Sequence, residues 1–230
     1  MEPYGYSDYN TFNRFQNLDG IETKIVEHLV NSTTKHAELF WKILKYNDLY
    51  ALSQPSVSKA ERLELINNDN GESTTKRVFF APFVDDAWEV QCSSVYIYLE
   101  GIIPIDHNRA IVGVTVETVV HSKISAIAGD GDPDSSANPE WVNPNDTDIQ
   151  GSIVVPFKSR ETVLLKCILA ELNGLYLDGV GYLQLATFNV GEKVKGLVEM
   201  PLFNNRSFYG HSTSFRMEIS GVSDDAGIGY

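Results

Sequence analysis

SRETVLLKCILAELN, residues 159–173, is the stretch whose reading decides the fold. Leu164, Leu165, Ile168, Leu169 and Leu172 recur at helical spacing and form a stripe along one side of a helix. Ser159 stands where it can cap the first free N–H groups, Glu161 puts negative charge in the first turn, and Gly174 follows the last apolar position as a stop. A helix greasy on one face must lie on something flat, and β-rich segments flank this one on both sides. Arg160, Glu161, Lys166 and Glu171 make the opposite face, expected to meet solvent or a neighbouring subunit. The reading is an α+β fold: an N-terminal helical segment followed by an antiparallel β-sheet domain with one amphipathic helix packed on it.

Outward from this helix the apolar period is two. Residues 88–99 and 110–122 alternate, with Val95, Ile97 and Leu99 on one side of the first and Val112, Val114, Val116 and Val120 on one side of the second. The link at 100–109 holds Gly101 and Pro104 and is expected to be an extended hairpin loop, with 123–128 continuing the second strand. Beyond the helix, Asp178-Gly179 turns the chain into a strand at 180–188, and further strands are expected at 153–157, 197–200 and 208–219. In the last, Tyr209, His211, Thr213, Phe215, Met217 and Ile219 share one side.

Before residue 77 the pattern is helical. Ile21, Ile25 and Leu29 form one stripe, and Leu39, Phe40, Ile43 and Leu44 resume it after the interruption Asn31-Ser32-Thr33-Thr34. Ser58-Lys59-Ala60-Glu61 has the spacing of a capping box for a third, short helix. Residues 1–17 carry Tyr4, Tyr6, Tyr9, Phe12 and Phe15 without any period, an aromatic arm suited to anchoring on a partner or to strapping its own domain. The chain therefore divides into an arm (1–17), a helical segment (18–76), a β-rich domain (77–221) and a short tail (222–230).

With 230 residues and 43 % hydrophobic content there is enough material for a real core. No apolar run reaches the length of a membrane helix and no basic-then-apolar start marks a signal peptide, so the expectation is a soluble chain made in a cytoplasm, with no membrane partner. Cys92 and Cys167 read as small buried hydrophobes. A net charge of −13 opposes general attraction to nucleic acid.

The chemistry-bearing residues are sparse. Asp130, Asp132 and Asp134 match positions one, three and five of a calcium loop, but Ser135 replaces its glycine, Trp141 stands at position twelve and Glu140 falls one residue early. His28, His36, His107, His121 and His211 lack zinc spacing and are expected at the surface or an interface. Asp85, Asp86 and Asp106 with His107 could serve acid–base catalysis only if folding supplied partners. The reading is non-enzymatic, with no catalytic residues, cofactor or metal expected.

Three segments carry a resemblance: residues 160–173 (RETVLLKCILAELN), 181–188, and 206–219 (RSFYGHSTSFRMEI). With the order strand, acidic loop, strand, capped helix, strand and final hairpin, residues 77–221 are similar to the tail-terminator and neck proteins of tailed bacteriophages. That resemblance implies a structural virion protein at the neck, assembled in the host cytoplasm. It implies a homo-oligomeric ring, commonly a hexamer, that joins portal or adaptor proteins to tail-tube proteins and lets DNA pass without sequence-specific binding. Asp130, Asp132, Asp134 and Glu140 would then line the channel and repel the passing phosphates, and Tyr4, Tyr6, Tyr9, Phe12 and Phe15 would form contacts between subunits or rings. The alternative from the residues alone is a β-rich calcium- or glycan-binding module that uses the acidic loop at 129–152 with Trp141 or Trp88.

Overall fold

The structure is a computed structural model that describes residues 18, 20–68, 74–81, 90–105, 109–128, 157–186, 188–190, 193–195, 197–200 and 207–220. Helices α1 (Ile21–Asn31) and α2 (Lys35–Lys45) are separated by the Ser/Thr turn, where the Thr34 side chain accepts the Ala37 N–H at 3.0 Å and caps α2. Helix α3 (Lys59–Glu64) opens with the capping box: Ser58 Oγ accepts the Glu61 N–H, and the Glu61 carboxylate accepts the Ser58 N–H at 2.8 Å. Arg62 of α3 donates to Val30 O and Ser32 O at 2.9 and 2.8 Å, filling the open carbonyls at the end of α1.

The strands follow as β1 (Val78–Phe79), β2 (Ser93–Pro104), β3 (Arg109–His121), β4 (Ala126–Ala128) and β5 (Phe157–Ser159). After helix α4 (Arg160–Leu172) come β6 (Tyr176–Leu177), β7 (Gly181–Tyr182), β8 (Gln184–Leu185), β9 (Phe188–Val190), β10 (Lys193–Lys195), β11 (Leu197–Met200) and β12 (Phe208–Ser220). The main sheet runs β1-β2-β3-β12-β11, with β8 also on β12. Its pairs are antiparallel except β1, which lies parallel to β2. The fold is α+β, as the periodicities indicate.

One face of this sheet is the floor of the core. Val95, Ile97, Val112, Val114, Val116, Phe215, Met217 and Ile219 meet Ile25, Leu29, Phe40, Trp41 and Leu44 of α1 and α2, and Leu164, Ile168 and Leu172 of α4, in one apolar cluster. Alternation along β3 and β12 puts Val112, Val114, Val116 and Phe215 on the same side, and this common face is what the helices cover. Both cysteines are free and buried, and burial pushes the Cys167 thiol up to about 12.

Several expectations need correction. Ser159 stands at the N-cap of α4, yet its side chain makes no capping hydrogen bond. Arg160 and Glu171, assigned to the solvent face, are 0 % and 8 % exposed. The Arg160 guanidinium donates to the carbonyls of Ile43 (3.1 Å), Tyr46 (2.7 Å), Asp48 (2.6 Å) and Ile124 (2.8 Å). Glu171 accepts from Ser32 Oγ at 2.8 Å and from the Thr34 hydroxyl. The presumed loop at 100–109 is mostly strand: β2 crosses a bulge at Glu100, where the register shifts between Leu99 and Gly101, and continues to Pro104. Residues 123–128 do not prolong β3; a 3₁₀ turn at Ser122–Ile124 leads into β4, which pairs with β5. The single strand expected at 180–188 is divided into β7, β8 and the start of β9.

Candidate functional site

If Val112, Val114 and Val116 of β3 point to the helices, Thr115 and Glu117 must point to the other face, together with Tyr96, Tyr98 and Glu100 of β2 and Ser212 and Ser214 of β12. On that face a polar strip crosses three strands. The Tyr98 hydroxyl donates to Glu117 Oε1 at 2.8 Å. The bulge at Glu100 accompanies a carboxylate that spans the sheet, accepting from Thr115 Oγ1 at 3.0 Å and Ser214 Oγ at 3.2 Å.

Glu117 is 7 % exposed, and burial holds its carboxyl above the ordinary carboxylate range, partly offset by the Tyr98 hydrogen bond. Burial first, and then Glu117, push the Tyr98 phenol upward. At one end of the strip Phe79 stacks on Tyr96, with centroids 5.1 Å apart, beside Val119 and Phe208. The strip offers acceptor oxygens and hydroxyls. Among the described residues no three His, Cys, Asp or Glu side chains stand together as a metal site.

Among the described residues, large apolar side chains are also exposed at Leu63 of α3, at Phe80 and on two hairpins. At the end of the β2–β3 hairpin Ile103 and Ile105 are 57 % and 45 % exposed. On the β6–β7 hairpin Tyr176 and Tyr182 are 54 % and 60 % exposed, with ring centroids 4.9 Å apart. Lys24 Nζ of α1 donates to Asp178 O of this hairpin at 2.5 Å, and Gly179 takes φ 71° at the turn. An exposed aromatic pair has the character of an interface anchor.

Asp130, Asp132, Asp134, Glu140, Tyr4, Tyr6, Tyr9, Phe12 and Phe15 lie outside the described residues, as do Trp88, Trp141, Asp85, Asp86, Asp106 and His107. His121, expected at the surface or an interface, is 8 % exposed within the chain. The strip was missed. Its signal was the opposite parity of Thr115 and Glu117 to Val112, Val114 and Val116, but the pairing of Glu100 with β12 needed the bulge, which no local pattern announces. No known protein family, no curated protein and no solved structure matches the chain.

Proposed function

We propose that this chain is a structural virion protein of the bacteriophage neck: a ring-forming tail terminator or head-to-tail connector that joins the portal complex to the tail. The reading rests on the sequence resemblance of residues 77–221, and the observation that carries it further is the exposed apolar surface on the two hairpins. Ile103 and Ile105 stand on one and Tyr176 and Tyr182 on the other, a distribution that suits a protomer contacting neighbours through two separate places. Copies arranged head to tail around a closed ring have that requirement. In such a ring the acids Asp130, Asp132, Asp134 and Glu140 would keep the conduit from binding the DNA it transmits.

The test is the native mass by light scattering, with negative-stain imaging of the assembled fraction. Rings about six times the 25.6 kDa chain mass are expected, and Ile103→Lys should reduce the assembled fraction at least about tenfold, the effect of roughly 1.4 kcal/mol at each contact. A wild-type chain that stays monomeric at every attainable concentration would overturn the ring. A calcium-dependent rise in melting temperature would instead favour the cation-binding alternative.

A further inference from the structure

Strand β3 ends in a histidine whose side chain is part of the next turn. The His121 N–H bonds to Cys92 O at 3.1 Å, and its Nδ1 accepts the Lys123 N–H at 3.1 Å, capping the 3₁₀ turn at Ser122–Ile124. The ring meets Phe208 edge-on with centroids 4.8 Å apart, and Ser122 N–H bonds to Ser207 O at 2.7 Å. Next in the chain, Ile124 O accepts Arg160 Nε at 2.8 Å and Ser125 O accepts the Arg160 N–H at 2.7 Å. The guanidinium then reaches Ile43 O and Tyr46 O at the C-terminal end of α2, and Asp48 O beyond it. A continuous series of hydrogen bonds thus runs from the end of the sheet, through one turn, to the helical layer.

We propose that His121 is a pH-sensitive latch: uptake of a proton at Nδ1 releases the Ser122–Ile124 turn, and with it the seat from which Arg160 grips the end of α2. An imidazole nitrogen that accepts a hydrogen bond carries no proton. Once protonated, Nδ1 becomes a donor facing the Lys123 N–H, so the cap is lost. The described titratable groups around the turn are Lys123 on the turn itself, Arg160 and Glu161 from α4, Tyr209 from β12 and Cys92 ahead of β2.

Burial first and the Lys123 charge second hold His121 below the ordinary imidazole range. Above about pH 6.5 the imidazole is neutral in both folded and unfolded chains and the latch is closed. As pH falls below that value the unfolded chain takes up the proton first, and stability is lost until the folded imidazole titrates too. The latch stands whether or not the protein forms rings.

Hydrogen exchange of the full-length protein at about pH 7.5 and about pH 5, corrected for intrinsic rates, tests the latch. Wild type is expected to lose about tenfold or more protection at pH 5 in both residues 120–126 and residues 43–48. His121→Asn, whose amide oxygen can accept the same N–H without titrating, should lose protection in neither. His121→Gln serves if the first variant does not fold. The latch is overturned if wild type keeps its protection at pH 5, if the variant opens as wild type does, or if residues 120–126 open while 43–48 remain closed.

Discussion

Arg160 occupies the first position of α4 and is fully buried, a cation at the helix end where the backbone dipole opposes it. What offsets this is the far richer supply of acceptors at the end of α2: three of its four carbonyl partners, those of Ile43, Tyr46 and Asp48, come from that one place. Burial pulls the guanidinium down to about 10, against the opposing pull of Asp48 and Tyr209, so it remains charged at neutral pH. Arg160→Met should therefore cost about 3–5 kcal/mol by urea denaturation, because it strands buried carbonyls as well as removing charge-assisted bonds. Arg160→Lys should recover less than half of that, since a single ammonium cannot fork to several carbonyls. A loss below about 1 kcal/mol for the methionine variant would show that water replaces the guanidinium freely. Periodicity placed Arg160 and Glu171 on the polar face because it sorts residues by hydropathy and contains nothing about acceptors supplied from 114 or donors from 137 residues away. The helix was legible; the two side chains that tie it to α1 and α2 were not.

At the scale of elements, β12 pairs with β3 along its whole length, from Phe208 opposite His121 to Ser220 opposite Arg109. Its alternation of buried Thr213, Phe215, Met217 and Ile219 was readable because one face is covered throughout, and a one-residue slip would turn them all outward. At Gly210 a Cβ would overlap the backbone oxygen of Thr118 on β3. A carbonyl oxygen in a paired strand cannot step aside as a flexible side chain can. Gly210→Ala should thus cost about 3 kcal/mol and raise exchange at the neighbouring amides of β3, while an alanine cost under about 0.5 kcal/mol would mean the strands separate there easily. The division of residues 180–188 had the same kind of cause and was not legible. Gly181 takes φ 148° and lies so near β12 that a Cβ would stand 2.6 Å from Glu218 O. Such a break depends on a strand far away in sequence, as does the bulge that carries Glu100 within bonding reach of Ser214.

For the whole molecule, the titratable groups on the second face and at the end of β3 give stability opposite dependences on pH. His121 is depressed, so its contribution is present at high pH and lost as pH falls below about 6.5. Glu117 is raised, so the folded chain holds its proton more tightly than the unfolded chain. Its contribution is full below the ordinary carboxylate value and is lost as pH rises through the folded value. The net charge of −13 acts in the same direction as Glu117, because added negative charge increases self-repulsion in the compact state. The two trends therefore oppose each other between the ordinary carboxylate value and about pH 6.5, with His121 favouring higher pH and Glu117 lower pH. Glu117→Gln separates the two: glutamine retains an oxygen for the Tyr98 hydroxyl at 2.8 Å but never bears the buried charge. It should raise the melting temperature at about pH 8 by roughly 2–4 °C, the effect of about 1 kcal/mol in a chain of this size, and leave the acid side unchanged. The advantage should disappear by about pH 4, where the wild-type carboxyl already carries its proton. A glutamine variant less stable than wild type at pH 8 would mean that hydrogen bonding to the ionised carboxylate outweighs its burial, and the alkaline decline would then belong to the net charge alone.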